Sequence, residues 1–84
     1  MPEVSRFFGI SMYLHDHHPA HLHAIYSGVE TEMGIDPVTV LAGRFPRRAL
    51  GMVLEWAAVH QQELLENWEL LRNDRAPRRI APLE

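Results

Sequence analysis

The sequence contains no cysteine and no long run of apolar residues. The absence of cysteine excludes disulfide bonds and thiolate ligands, so any bound metal ion must be held by nitrogen and oxygen atoms. No segment approaches the roughly 18 consecutive apolar residues that a membrane span requires. The N-terminal segment MPEVSRFF lacks the apolar core and the small-residue cleavage pattern of a secretory signal. We therefore expect a cytoplasmic protein without membrane association.

Lysine is also absent, because all eight basic residues are arginine, and the formal net charge is −3. This charge argues against strong non-specific binding of nucleic acid over the whole surface. The exclusive use of arginine either reflects GC-rich codons or serves recognition of phosphate or carboxylate groups, for which lysine is a poorer partner. The arginines at the start of the predicted helix and in the tail are either solvated surface or contacts to phosphate or to an acidic partner. The candidate binding residues are Arg44, Arg47, Arg48, Arg78, Arg79 and Tyr26.

The first half of the chain shows the alternation of apolar and polar residues that is typical of strands. It predicts strands at Phe7 to Leu14, His21 to Tyr26, Val29 to Ile35 and, more briefly, Val38 to Ala42. Ser27-Gly28 and Asp36-Pro37 are typical of turns between them. In the second strand Leu22, Ala24 and Tyr26 point to one side, and His21, His23 and Ile25 point to the other.

From residue 46 to about residue 72 the period changes to that of a helix. Apolar residues recur at spacings of three and four, at Leu50, Val53, Leu54, Ala57, Leu64, Leu65, Trp68 and Leu71. The sequence predicts one α+β domain over residues 1–84: a three- to four-stranded antiparallel meander over about 5–42, one face of which packs against a long C-terminal helix. An extended tail follows over residues 73–84.

The length of this helix bears on assembly. A continuous helix of this size would be about 40 Å long and would overhang a sheet whose strands cover about 20 Å, unless the helix breaks near residues 59–62. An 84-residue chain also buries only about 60–65% of its unfolded surface, so the monomer should be marginally stable. We therefore expect a homodimer or a complex with another protein.

Five of the six histidines lie in the segment HDHHPAHLH, residues 15–23. On a strand, His21 and His23 project from the same face, and the two imidazoles can converge on one divalent metal ion such as Zn²⁺. His17 and His18 are then the candidate ligands from the loop. The same pair can act instead as general acid and base. A third interpretation is that the histidines are exposed and have no role.

His60 is the remaining histidine and lies within the predicted helix. Trp56 precedes it by four residues and Glu63 follows it by three, so all three residues share one helical side. His60 is either a half-buried amphipathic residue, or a third candidate catalytic residue at the edge of the histidine face, or part of a dimer seam.

The segments MPEVSRFFGI, HDHHPAHLHAIY, FPRRAL and LEWAAVHQQELLENWELLR resemble a family of small bacterial proteins, domain of unknown function 4160. The resemblance runs from Met1 to about Leu83. The family's proline and His-x-His pair correspond to Pro19, His21 and His23, and its helical tryptophan–histidine pair to Trp56 and His60. The chain departs from the family pattern at Ala20, where many relatives have proline, and at Ile25, where many have a polar or basic residue.

The resemblance implies a partner and a genetic context, because such proteins are similar to components of toxin–antitoxin-like gene pairs. From it and from the histidines we expect a module that binds a cognate protein or RNA through a histidine-rich sheet face. The alternatives are a small ribonuclease that depends on histidine or on a metal ion, and a structural metal-binding module.

Overall fold

The computed structural model describes residues 2–84. The five strands are β1 (Glu3–Phe7), β2 (Ile10–Leu14), β3 (His21–Tyr26), β4 (Val29–Ile35) and β5 (Val38–Gly43). Two helices follow, α1 (Arg47–Val59) and α2 (Gln61–Arg72), and then a tail without helix or strand. The predicted α+β class with an antiparallel sheet is confirmed. The predicted strand number, three or four, is wrong, and the predicted long helix is two helices that meet at the position near residues 59–62 where a break was left open.

The sheet is a meander in which each strand pairs antiparallel with the next, in the order β1-β2-β3-β4-β5. Its register separates apolar from polar residues. Leu14, Leu22 and Met33 lie side by side on three neighbouring strands, and all three are fully buried. We call their side, against which the helices pack, the inner face, and the opposite side the outer face.

The extra strand is β1, because the segment predicted as one strand, Phe7 to Leu14, contains the end of β1, a turn and β2, which together with residues 3–6 form a hairpin. Phe8 and Gly9 form a two-residue turn with positive φ angles of 49° and 79°. Ser27 and Gly28 have a similar conformation, at 51° and 81°, between β3 and β4. Two consecutive positive φ angles are typical of the tight turn that matches the twist of a hairpin. The sequence pattern did not indicate the first turn, because the apolar side chain of Phe8 continues the alternation. In the structure this side chain is 61% exposed.

The predicted helix is interrupted at His60, whose φ and ψ are −105° and 21°. The His60 N–H still donates to the carbonyl of Trp56, and the His60 carbonyl accepts from the N–H of Leu64. Beside the break, the side-chain amide of Gln61 donates to the carbonyl of Ile35 at the end of β4, at 2.9 Å. The break lies where the apolar stripe weakens, and it lets both helices contribute to the core. The chain therefore has no single 40 Å helix that overhangs the sheet.

The core lies between the inner face and the two helices. Trp56 of α1 is fully buried, and its ring centroid lies 5.7 Å from that of Phe7. Leu64 of α2 is also fully buried and belongs to the same cluster of contacts. Among residues 2–84, the structure contains no helix of the length and apolarity needed to cross a membrane.

The tail packs along β1, which is one edge of the sheet. The Ile80 N–H donates to the carbonyl of Val4 at 2.8 Å, and the Ser5 hydroxyl donates to the carbonyl of Ile80 at 2.9 Å. The Trp56 indole N–H donates to the carbonyl of Ala81, so the same segment also reaches the core. Ile80 is itself buried. Hydrogen bonds between the tail and the distant segments β1 and α1 thus hold the ends of the described chain together.

The exposed part of the contact between the tail and β1 is an ion pair, which predicts that the free energy of unfolding depends on pH. Arg79 and Arg6 donate to the Glu3 carboxylate, and these bonds lower the pKa of Glu3 from its usual value of 4.5. The folded state therefore holds the charged form more strongly. This stabilisation is present above about pH 4.5 and is lost as the pH falls through the lowered pKa of the folded state.

We expect Arg79→Gln to reduce the free energy of unfolding by about 0.5–1 kcal/mol at pH 7, as for other exposed ion pairs. The difference from wild type should shrink below pH 4.5. Denaturant unfolding at several pH values measures it, and Arg75→Gln is the matched control, because the Arg75 side chain makes no ion pair among the described residues. If the difference in the free energy of unfolding between wild type and Arg79→Gln stays constant with pH, the ion pair with Glu3 is not its cause.

Candidate metal centre on the outer face

The pairing of β3 with β4 brings histidines and glutamates together on the outer face. His23 lies directly opposite Glu32, and His21 lies opposite Gly34. Glu30 lies two pairs further along, opposite Ile25 and on the same face as Glu32, and its side chain reaches back to His23. The two-residue turn at Ser27-Gly28 sets this register, since it makes Tyr26 and Val29 the first pair of the ladder.

A third histidine joins this pair from the end of β2. The ring centroid of His15 lies 4.5 Å from that of His23 and 5.8 Å from that of His21. His21 and His23 have ring centroids 5.1 Å apart. We call His15, His21 and His23 the histidine cluster.

The hydrogen bonds of the cluster determine which ring nitrogens carry hydrogen. His21 Nδ1 lies 2.6 Å from the carbonyl oxygen of Pro19, and His23 Nδ1 lies 2.5 Å from a carboxylate oxygen of Glu30. Both partners are acceptors, so each Nδ1 must donate. In a neutral imidazole the second nitrogen, Nε2, then carries a lone pair.

Both Nε2 atoms face the same carboxylate oxygen. Glu32 Oε1 lies 3.2 Å from Nε2 of His21 and 3.8 Å from Nε2 of His23. Two lone pairs and a carboxylate oxygen therefore converge without a hydrogen between them when the rings are neutral. A proton, a metal cation or a bridging water makes this arrangement favourable, and of these a metal cation satisfies all three groups at once.

The donor set fits a metal ion. One ligand atom from each of His21, His23 and Glu32 can be chosen so that all three lie within 4.8 Å of one another. A tetrahedral ion with bonds of about 2.0–2.1 Å needs its ligands roughly 3.3 Å apart, so small side-chain rotations are sufficient. The bonds from His21 to Pro19 and from His23 to Glu30 supply the outer partners that orient metal-bound imidazoles.

The environment of the cluster also favours neutral imidazole at His15. Burial lowers the pKa of His15 below its usual value of 6.5, and the positive charges that His23, His21 and His17 would carry lower it further. His21 is buried and His23 is half-buried, while Glu32 is about one-third exposed. The site is therefore open on the side of Glu32.

The two loop histidines predicted as ligands do not join these residues. His17 is 76% exposed and lies 3.6 Å from Asp16, although its ring stacks at 5.7 Å on that of His15 at the rim of the cluster. His18 packs edge-on against Trp68 of α2, with centroids 5.0 Å apart. His15 and Glu32 lie beside His21 and His23, in the positions for which His17 and His18 were predicted.

His60 lies on the helical side of the sheet, away from the cluster. Its ring centroid is 5.6 Å from that of Trp56, and its Nδ1 is 2.6 Å from the Glu63 carboxylate. Tyr26 also belongs to the inner side, where its ring packs against Phe45 and over Gly9. Neither residue shares a site with His21 and His23.

The candidate arginines are exposed and divide between two regions. Arg44, Arg47 and Arg48 lie in the loop after β5 and in the first turn of α1, while Arg78 and Arg79 lie in the tail. Within residues 2–84, no hydrogen bond or ion pair joins any of these arginines to the histidine cluster.

Sequence reasoning missed the two glutamates, although the sequence contained the signal. The alternation in β4 places Glu30, Glu32 and Gly34 on one face, and the turn at Ser27-Gly28 determines which of them opposes His23. Combining these two observations places Glu32 beside His23. His15 had no comparable signal, because its position depends on how the loop after β2 folds.

The comparisons with known proteins agree with the resemblance seen in the motifs. A family model described as Domain of unknown function (DUF4160) matches residues 8–69, which include all of the histidine cluster. No curated protein and no solved structure matches the chain significantly.

The hydrogen-bond geometry makes a prediction for the metal-free protein. At about pH 8.5, where unperturbed imidazole is neutral, we expect His21 and His23 to carry hydrogen on Nδ1. Long-range proton–nitrogen correlation spectra of the chelator-treated protein distinguish the two ring nitrogens. His17 is the reference, because its ring makes no hydrogen bond among the described residues. Hydrogen on Nε2 of either His21 or His23 would contradict the geometry.

Proposed function

The chain belongs to the DUF4160 family, and we propose that this protein is a divalent-metal-binding module with His21, His23 and Glu32 as ligands. One observation carries the proposal. The Nε2 atoms of His21 and His23 lie 3.2 Å and 3.8 Å from one carboxylate oxygen of Glu32, while the Nδ1 atom of each ring donates to another acceptor. A metal cation at their centre satisfies all three groups.

The donor set favours Zn²⁺. Two imidazoles and one carboxylate form a ligand set that zinc hydrolases use, and it leaves at least one coordination position for water or substrate. The chain offers no thiolate that would favour a closed structural site. The apolar core lies on the other face of the sheet, so the metal is not needed to hold the strands and helices together. These features support a functional metal over a purely structural one.

We further propose that the protein acts in the cytoplasm as one member of a toxin–antitoxin-like pair, in a homodimer or with the product of an adjacent gene. The cluster by itself is a poor contact for RNA, because Glu30 and Glu32 lie beside the histidines and repel phosphate. A bound dication removes this repulsion. RNA binding through the outer face is therefore proposed only for the metal-bound protein.

A metal-dependent ribonuclease is the second candidate, favoured by the open side of the site. A metal ion on three protein ligands can lower the pKa of a bound water to about 7 and so produce a nucleophile. His15 lies beside the ligands in a position to accept a proton. In this interpretation His21 and His23 hold the metal and do not themselves act as acid and base.

The metal proposal predicts Zn²⁺ binding by the untagged protein. We expect Glu32→Gln, which removes the anionic charge of one ligand, and His21→Ala with His23→Ala, which removes two ligands, to weaken binding at least about 100-fold. Glu30→Gln should weaken it by about 10- to 100-fold through the orientation of His23. Competition with a chromophoric chelator measures the affinity. His18→Ala is the control, because it removes a histidine outside the cluster. Wild-type affinity in Glu32→Gln would reject the site.

The ribonuclease candidate predicts that the zinc-loaded protein cleaves RNA, and that its expression without the adjacent gene slows growth. His21→Ala with His23→Ala should abolish both effects, whereas His18→Ala should preserve them. Cleavage of labelled RNA and growth curves with and without the adjacent gene provide the two measurements. Equal cleavage by wild type and the double variant, or cleavage by neither, removes the catalytic candidate and leaves the metal proposal standing.

A further inference from the structure

The two edge strands of the sheet, β1 and β5, differ in whether another segment of the chain pairs with them. At β1, the register shifts between Glu3 and Ser5, and the tail pairs with the intervening residue through the bond from Ile80 to Val4. At β5, the register shifts between Glu32 and Met33 of the neighbouring strand, which leaves Leu41 as the extra residue. Among residues 2–84, no backbone hydrogen bond joins another segment to the free edge of β5, the edge that faces away from β4. Only one of the two edges is covered.

The uncovered strand has few features that prevent edge pairing. Its sequence, VTVLAG, contains no charged residue and no proline. Val40 is 41% exposed and Leu41 is 46% exposed. Exposed edge strands are usually protected by lysine, proline, a bulge or a covering segment. The bulge at Leu41 is the one protective feature of this kind that β5 has. At β1, a comparable irregularity does not prevent pairing with the tail.

The residues that flank β5 are complementary to a second copy of the same strand. Asp36 precedes the strand and Arg44 follows it, and both are exposed. Neither side chain forms an ion pair within the part of the chain that the structure describes. In an antiparallel pair with Val40 on a two-fold axis, Leu41 lies opposite Thr39, and beyond Leu41 the bulge shifts the pairing by one residue. The start of each strand still lies beside the end of the other, so Asp36 of each copy lies close to Arg44 of the other.

The same register covers the exposed apolar side chains. Val40 meets Val40 of the second copy, and Leu41 meets Thr39 of the second copy on the other face. Directly opposite residues in an antiparallel ladder share a face, and such pairs of aliphatic and β-branched side chains stabilise it. No like charges oppose each other anywhere in the strand.

We propose that β5 pairs antiparallel with β5 of a second copy, with Val40 on the two-fold axis, to form a continuous ten-stranded sheet. This interface is separate from the metal site and does not depend on it. An edge contact of this kind buries a small area, so the dimer is expected to be weak and its formation to depend on concentration.

Sedimentation equilibrium in the presence of a chelator tests the proposal. The average mass of wild type should rise above the chain mass of 9.7 kDa as the concentration increases, and should approach twice that mass towards about 1 mM, since so small an interface gives a weak dimer. Val40→Lys places two like charges opposite each other and should raise the Kd at least about tenfold. Val59→Lys is the matched control, because Val59 is 71% exposed at the end of α1 and outside the edge.

A charge reversal tests the register. Asp36→Arg alone and Arg44→Asp alone should each weaken the dimer about three- to tenfold, and the two together should restore it. Circular dichroism establishes that each variant is folded. A wild type that is monomeric at about 1 mM, equal association of Val40→Lys and Val59→Lys, or a double reversal no better than the single ones would each overturn the proposal.

Discussion

The register between β3 and β4 is the constraint on which both sides of the sheet depend. A two-residue turn at Ser27-Gly28 determines it, and a slip of one residue would exchange the two faces. In the observed register Leu22 and Met33 face the helices, while His23 and Glu32 face outward. The hairpin that builds the core therefore also builds the candidate metal site, because the same alternation produces both.

The outer face differs from an ordinary solvated sheet surface in how its polar groups are paired. On most exposed sheets, polar side chains find water or an opposite charge. Here His21 is buried, and both histidines use one nitrogen to donate to a fixed acceptor. When both rings are neutral, their Nε2 atoms and the Glu32 carboxylate are acceptors that point at one another. The two carboxylates nearby, Glu30 and Glu32, make the face acidic, so by itself it repels phosphate.

Much of this arrangement could be predicted from the sequence, and the limits have physical reasons. Alternation identified β3, β4 and the shared face of His21 and His23, because each depends only on local period. The hairpin at Phe8 was missed because a turn residue with an apolar side chain does not interrupt the pattern. The break at His60 was left open, since the local sequence tolerates both a continuous and an interrupted helix, and packing on the sheet decides between them. His15 and the tail depend on contacts between distant residues, which no local pattern records.

The tail has a consequence for how the domain is made in the cell. Ser5 and Ile80 are 75 residues apart in sequence, yet they are joined by a hydrogen bond in the edge of the sheet. During synthesis, residues 78–81 are added after all five strands and both helices have been polymerised. Until these residues are translated, nothing can pair with β1 at Val4 or accept from the indole N–H of Trp56. A chain stalled or truncated before residue 78 therefore presents an open sheet edge to the cell's chaperones and proteases.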